Sequence, residues 1–194
     1  SHAAMPHQGI DPILAGSQIV IALQSLVSRN LNPLESAVVS VTQFHGGDTN
    51  NVIPQEIFME GTTRCLVPEI REWLEPNMNR VIEGVSKSLG VGFDFDYTRR
   101  YPVTVNHDVE TKIATQIAIE VAGNENVNAN TAPVMGAEDF AFMLEKVPGC
   151  YLFIGNGAEE GSCMVHNPNY DFNDEILPVG ATYFSRLVET VLST

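Results

Sequence analysis

The chain has 194 residues and a mass of 21.2 kDa, which suits one large domain or two small ones. A hydrophobic fraction of 44% and a charged fraction of 18% are typical of a globular protein and exclude a largely disordered one. Ten basic residues against 24 acidic residues give a net charge of −14, which argues against binding to nucleic acid or to anionic membranes.

The acidic residues are unevenly distributed along the chain. Residues 1–102 hold 7 basic and 11 acidic side chains, whereas residues 103–194 hold 3 and 13. This shift predicts two units, 1–102 and 103–194. Two interpretations of the acidity stay open: a solubilising surface, or an acidic cluster that holds a cation.

Cysteine usage and the N-terminal residues bear on localisation. The three cysteines lie far apart and form no C-x-x-C pair, which favours buried thiols in a reducing cytoplasm. The first residues lack an initiating methionine and the basic start and apolar core of a signal peptide. We therefore expect a cytoplasmic protein, present here as a fragment or a processed chain.

The first half of the chain predicts a helix followed by a hairpin. Asp11-Pro12 is typical of a helix start, because the acid caps the first turn and proline fits its first position. Apolar side chains then follow at helical spacing as far as Val27. Two strands, at 37–44 and 55–65, are predicted with a glycine-rich and asparagine-rich connection between them.

A second helix and a third strand are predicted next. The helix begins at Pro68 and ends at Gly90, with Pro76 expected to kink or split it. Residues 91–98 alternate apolar and polar side chains, which is typical of a half-buried strand. The order helix, strand, strand, helix, strand would become the β-α-β-β-α-β split pattern with one strand before residue 1.

The second half predicts helices around one buried strand. A helix over 109–123 is followed by a short helix over 137–147 and an apolar strand over 150–154. A long irregular loop is predicted over 159–173, and long loops in compact domains are often functional. The last helix is predicted to begin near Asp174.

Two histidines are candidates for a functional site. His166 lies in the predicted long loop with carboxylates close behind it, which suits a divalent metal, although a single histidine is weak evidence. His2 precedes the first helix, where an imidazole suits an anion or an oxyanion. An ordinary surface histidine is the alternative for His2.

Arg64 and Glu138 each have two interpretations. An arginine inside a strand is costly unless paired, so Arg64 either binds a ligand carboxylate or forms a salt bridge to a neighbouring glutamate: Glu56, Glu60 or Glu69. Glu138 at a helix start either stabilises the helix terminus or projects into a cleft. The asparagines of the hairpin connection, Asn51 among them, are candidate ligand contacts.

Four segments together resemble the metal-dependent aminoacylase and carboxypeptidase superfamily. Residues 1–7 (SHAAMPH) are similar to its GHAA-x-PH segment, and NVIP at 51–54, with Arg64 thirteen residues after Asn51, is similar to its NVIP…R hairpin. Residues 135–140 (MGAEDF) resemble its MG-S-EDF motif, and 165–175 (VHNPNYDFNDE) its HHP-x-YDFNDE motif. The branch that fits best is that of hippurate hydrolases and N-acyl-amino-acid amidohydrolases.

The resemblance implies a fold of mixed α+β and α/β type. Residues 1–102 would be a ferredoxin-like β-α-β-β-α-β lid and dimerisation domain with its first strand missing. Residues 103–194 would be the C-terminal part of an α/β metallohydrolase domain. A homodimer through the lid domain is also implied.

The resemblance implies a role for each candidate residue. His166 would be a ligand of a two-metal centre of zinc, manganese or cobalt, and His2 would stabilise the tetrahedral intermediate in the partner subunit's active site. Asn51 and Arg64 would contact an N-acyl amino acid substrate, with Arg64 binding its carboxylate. Glu138 would belong to the substrate-binding cleft.

One departure from the family pattern limits what this chain is expected to do. The family takes its base glutamate and most metal ligands from an N-terminal catalytic segment that nothing in this sequence matches. We therefore expect the parent protein to be a metal-dependent amidohydrolase and this chain alone to be inactive. The alternative is a non-catalytic dimerising interaction module without a metal site.

Overall fold

The computed structural model describes residues 1–157 and 163–192, in two compact units. Unit 1 comprises Ser1–Val103 with Pro133–Ala137, and unit 2 comprises Thr104–Ala132 with Glu138–Thr194. The loop predicted over 159–173 falls partly at 159–162, outside the described residues.

Unit 1 begins with a 3-10 turn, Pro6–Gln8, and helix α1, Pro12–Ser25. The carboxylate of Asp11 accepts hydrogen bonds from the backbone N–H groups of Ile13 (2.9 Å) and Leu14 (3.2 Å). These bonds satisfy two donors that the first helical turn leaves free, as the Asp-Pro pair predicted. A π-helical turn, Leu26–Asn30, continues the helix.

The predicted hairpin is formed by β1, Ala37–His45, and β2, Phe58–Cys65. The strands pair antiparallel from Ala37 opposite Cys65 to His45 opposite Phe58, with an irregularity between Val41 and Gln43. This register sets the position of Arg64, which lies opposite Val38.

Helix α2, Pro68–Leu89, runs through Pro76 and is not split there, contrary to one of the two outcomes expected. Proline removes a donor from the helical ladder. In the same turn, the side-chain amide of Asn77 donates to the carbonyl oxygen of Trp73 at 2.9 Å. Gly90 ends the helix with a left-handed backbone (φ +71°), as predicted.

The core of unit 1 lies between α1, α2 and one face of the hairpin. Its buried members come from all three elements: Ile19, Leu23, Leu26, Val39, Leu74 and Ile82. Leu26 and Leu74 have no solvent exposure, so the two helices meet in a closed apolar layer.

The strand predicted over 91–98 is wrong, because this segment is not part of the two-stranded sheet. The alternation of burial holds from residue 94 to 97, where Phe95 and Tyr97 are half-buried and Asp94 and Asp96 are exposed, but Phe93 is exposed as well. The segment is fastened by side chains, through the Tyr97 hydroxyl to Thr63 Oγ1 at 2.6 Å. Alternation reports on side-chain burial, and a strand also needs a backbone partner.

Unit 2 consists of helices and irregular segments. Helix α3 is Asp108–Ala122, α4 is Phe140–Leu144 and α5 is Leu177–Val191. A small core joins α3 to α5 through Ala114, Ile117 and Tyr183. Arg186 of α5 pairs with Glu120 of α3 and with Glu189 of its own helix.

Two predictions for unit 2 need correction. The helix expected over 137–147 is shorter, since α4 is Phe140–Leu144. The segment 150–154 is not a strand, and Phe153 is 64% exposed. Its backbone bonds to a side chain instead: the Asn106 amide donates to the Tyr151 carbonyl and accepts from its N–H, both at 2.8 Å.

The mixed α/β class is confirmed, and the described part of unit 1 has the order helix, strand, strand, helix that the split pattern requires. Among the described residues, no helix is both long enough and apolar enough to cross a membrane.

Candidate functional site

The N-terminal segment holds His2 beside the hairpin connection. His2 forms an isolated antiparallel bridge with Val52. Backbone bonds flank it on both sides, from Ala3 N–H to the Asn51 carbonyl (3.0 Å) and from Ile53 N–H to the Ser1 carbonyl (2.8 Å). The structure thus brings two predicted site residues, His2 and Asn51, together.

The His2 ring is exposed and held at one nitrogen. Its Nδ1 accepts a hydrogen bond from the backbone N–H of Ala4 at 3.1 Å. A neutral imidazole that accepts at Nδ1 carries its proton on Nε2. Nε2 is therefore the atom with which His2 can donate to a ligand.

Asn51 is also exposed, and its side chain is anchored within the connection. The Thr49 hydroxyl donates to Asn51 Oδ1 at 3.1 Å. No hydrogen bond from the amide nitrogen to a described residue accompanies it, so this nitrogen is available as a donor.

Arg64 is the next-to-last residue of β2 and is half-buried. Its Nη1 donates to the Thr63 carbonyl at 2.7 Å and to the Thr62 hydroxyl. Within residues 1–157 and 163–192, Arg64 pairs with no carboxylate, so the salt bridge considered as an alternative is absent there. Hydroxyl and carbonyl contacts orient the guanidinium and leave its charge uncompensated.

Glu138 of unit 2 is half-buried and accepts a hydrogen bond from the Tyr151 hydroxyl at Oε2, at 2.8 Å. This bond is the main reason why the pKa of Tyr151 is raised, with burial and the charges of Glu138 and Asp139 adding to it. The Glu138 carbonyl accepts from Ala141 N–H at 3.3 Å, so its backbone also joins the first turn of α4.

His166 is exposed and has a left-handed backbone, with φ of +70°. Histidine is among the residues that adopt this conformation more often than most non-glycine residues. The loop behind it is held by Asn156, whose amide donates to the Asp171 carbonyl (2.8 Å) and accepts from Asn173 N–H (2.7 Å).

The donor set does not fit a metal pair on its own. The part of the chain that the structure describes contains no group of three or more histidine, cysteine or acidic side chains that could hold a metal ion. His166 supplies one imidazole, and two ions need several ligands each. These residues alone therefore support no chemical step through a metal.

Sequence reasoning missed three residues that hold the candidates in place: Tyr151, Asn106 and Asn156. Tyr151 was assigned only to an apolar run. A tyrosine in such a run needs a partner for its hydroxyl, and this need is the signal that could have found it. The two asparagines act on backbone distant in sequence, and no local pattern reveals that.

Comparison with known proteins gives the family. The model of peptidase family M20/M25/M40 matches residues 7–190. The chain is 39% identical over its whole length to an N-acetylcysteine deacetylase of Bacillus subtilis, covering 49% of that protein. It is 34% identical to a hippurate hydrolase of Campylobacter jejuni over 96% of this chain and 48% of the relative.

A solved structure agrees with these relatives. A Bacillus subtilis protein described as a dinuclear metal-binding peptidase of the M20 family superposes with a TM-score of 0.72 at 35% identity, over 97% of this chain and 48% of that one. The chain thus spans about half the length of the proteins it matches. The resemblance identified from the four sequence motifs is confirmed, and the chain belongs to peptidase family M20/M25/M40.

Proposed function

We propose that the chain is part of a metal-dependent amidohydrolase that cleaves N-acyl amino acids, including hippurate-like ones, to a carboxylate and an amino acid. Arg64 carries the proposal. Its guanidinium is half-buried, held by Thr62 and Thr63, and paired with no described carboxylate. An N-acyl amino acid offers the free carboxylate that such a fork binds in two-pronged geometry.

His2 and Asn51 supply donors for the rest of the substrate. His2 presents Nε2–H and Asn51 presents its amide N–H from neighbouring positions of one bridge. Donors fixed before the reaction stabilise an oxyanion without having to reorganise. We assign His2 to the oxyanion of the tetrahedral intermediate in the partner subunit's active site and Asn51 to substrate binding.

The metal requirement is proposed for the whole protein. His166 would supply one ligand, and other ligands for two ions of zinc, manganese or cobalt would come from sequence outside this chain. Support comes from the relative described as a dinuclear metal-binding peptidase. The isolated chain is expected to be inactive, because its described residues hold no metal-binding cluster.

A homodimer through unit 1 is part of the proposal, in a cytoplasmic setting. Each described strand of the hairpin has one neighbour, so one edge of each is open to pairing. Open edges favour strand addition across a two-fold axis. Light scattering at high protein concentration tests this, and a monomer would count against it.

The central experiment is hydrolysis of N-benzoylglycine and N-acetyl amino acids, with and without manganese or zinc. The complete product of the gene is expected to turn over with metal, and the 194-residue chain is not. Arg64→Ala should raise KM at least tenfold for N-benzoylglycine, with little change for N-benzoylglycinamide, which lacks the carboxylate. Arg29→Ala, an exposed arginine, is the matched control.

Two results would contradict the proposal. Equal changes in KM for the two substrates in Arg64→Ala would show that Arg64 does not bind the substrate carboxylate. Metal-dependent turnover by the 194-residue chain would mean that its own residues assemble the site.

A non-catalytic interaction module remains the second candidate. The absence of a metal-binding cluster among the described residues favours it. A Cys-x-His and a Glu-Glu pair upstream in the coding frame would support the enzyme, and their absence would support the module.

A further inference from the structure

Several contacts hold Tyr151 beside Glu138 in unit 2. Its ring contacts Phe140 in a tilted arrangement (centroids 5.8 Å apart) and Phe153 edge-on (5.4 Å). Its backbone N–H and carbonyl are both bound by the side chain of Asn106. The hydroxyl of Tyr151 therefore has a nearly fixed position.

The segment that carries Tyr151 is fixed a second time at Gly149. His107 N–H donates to the Gly149 carbonyl at 3.0 Å, and Gly149 N–H donates to His107 Nδ1 at 3.1 Å. Asn106 and His107 directly precede α3, so the start of that helix is the anchor. A tyrosine hydroxyl that only faced solvent would not require its backbone to be held at two points.

The partner of the hydroxyl is a flexible carboxylate. A glutamate side chain has three rotatable bonds, and ordering it costs conformational entropy. The bond from Tyr151 occupies Oε2, and Oε1 receives no hydrogen bond from a described residue. A hydrogen bond to an ionised acceptor is stronger than one between neutral groups, so it can select one rotamer of the carboxylate.

We propose that Tyr151 is a positioning residue that holds the Glu138 carboxylate with Oε1 free for the substrate. The inference rests on the proposed function, since it assigns Glu138 to substrate binding. A positioning role differs from a purely structural one, because any effect of Tyr151 on catalysis then depends on Glu138.

The test is a double-mutant cycle in the complete protein with metal, using Tyr151→Phe and Glu138→Gln. We expect Tyr151→Phe to raise KM for N-benzoylglycine about tenfold, with kcat within about twofold. In the Glu138→Gln background the same change should alter KM by less than twofold, because the positioned charge is already gone. Tyr97→Phe is the matched control, since it removes a comparable hydroxyl bond in unit 1 without touching Glu138.

Two kinetic outcomes would overturn the inference. An effect of Tyr151→Phe that is equally large in both backgrounds would make it structural. An unchanged KM in both single variants would show that neither Glu138 nor Tyr151 takes part in substrate binding. Absence of turnover in the unsubstituted complete protein would instead overturn the proposed function.

A second measurement needs no activity. In the 194-residue chain labelled with ¹³C-tyrosine, Tyr151→Phe assigns the resonance by its disappearance. Tyr151 is expected to titrate above the ordinary tyrosine pKa, and Glu138→Gln should bring it back towards that value. An ordinary Tyr151 titration in the unsubstituted chain would overturn the inference whatever the kinetics show.

Discussion

Leu74 lies at the centre of the unit 1 core, and its replacement by alanine should destabilise that unit by about 3 kcal/mol. The side chain is 0% exposed and packs in a cluster with residues of α1 and β1. Leucine to alanine removes three buried carbons at about 0.8 kcal/mol each, or about 2.4 kcal/mol. The remaining cavity adds to this cost, because the surrounding helices and hairpin close only partly around it.

Urea unfolding followed by tryptophan fluorescence measures this loss. Trp73, the single tryptophan of the chain, packs against the same cluster and therefore reports on unit 1. With a slope of about 1.5 kcal/mol per molar urea, the midpoint should fall by about 2 M. Leu34→Ala is the control: that side chain is 91% exposed and should change stability by less than about 0.5 kcal/mol. A Leu74→Ala midpoint that matched the control would refute the burial on which the estimate depends.

Three further sets of substitutions test other features of the fold. Gly61→Ala places a Cβ 2.2 Å from a carbonyl oxygen of β1 and should cost about 2 kcal/mol of unfolding free energy, measured in urea. Gly84→Ala on α2 meets nothing within 4 Å and should stabilise the chain by up to about 1 kcal/mol. Effects of the same sign in the two variants would contradict this contrast. Asp11→Ala should cost about 1 kcal/mol and Asp11→Asn a few tenths, because asparagine keeps the capping oxygen. Equal losses in the two variants would show that the capping oxygen does not account for the stabilisation. Burial is the main reason why the pKa of Tyr183 is raised, so the folded state favours the neutral phenol. The stability that this group contributes is therefore complete below pH 10.0 and is lost as the pH rises further. The free energy of unfolding should thus fall more steeply above pH 10.0 in the unsubstituted chain than in Tyr183→Phe, as measured by circular dichroism in urea.

The elements that sequence patterns predicted well are those with local causes. Asp11 caps α1 through bonds to residues two and three positions away, and Gly90 ends α2 through its own backbone conformation. The hairpin needs only two short strands and a polar connection between them. Each of these features is decided within a few residues, so the sequence displays it directly.

The strand predictions for 91–98 and 150–154 were wrong, because the groups that hold these segments lie far away in the sequence. Residues 91–98 alternate apolar and polar side chains as a strand does. The segment is nevertheless held by a side-chain hydrogen bond between Tyr97 and Thr63, 34 residues away. The backbone of Tyr151 is bound by Asn106, 45 residues away. Alternation and apolarity describe how a segment is buried, and they do not say which backbone lies beside it.

The candidate site divides in the same way. Family motifs in the sequence pointed to His2, Asn51, Arg64, Glu138 and His166, and their roles remain predictions. The contacts that orient them came only from the structure. The salt bridge considered for Arg64 is the clearest example: three glutamates lie near in sequence, and none of them pairs with it among the described residues.

The bridge between His2 and Val52 has a consequence for the order in which this region assembles. Ser1 and Ile53, which flank it, are 52 residues apart in sequence, and closing a loop of that length costs about 3.5 kcal/mol of chain entropy. A few exposed backbone bonds do not repay that cost alone, so the bridge forms only after α1 and β1 have brought the ends of the loop close together. We therefore expect His2 to reach its place beside Asn51 late in folding, once α1 and β1 are in place.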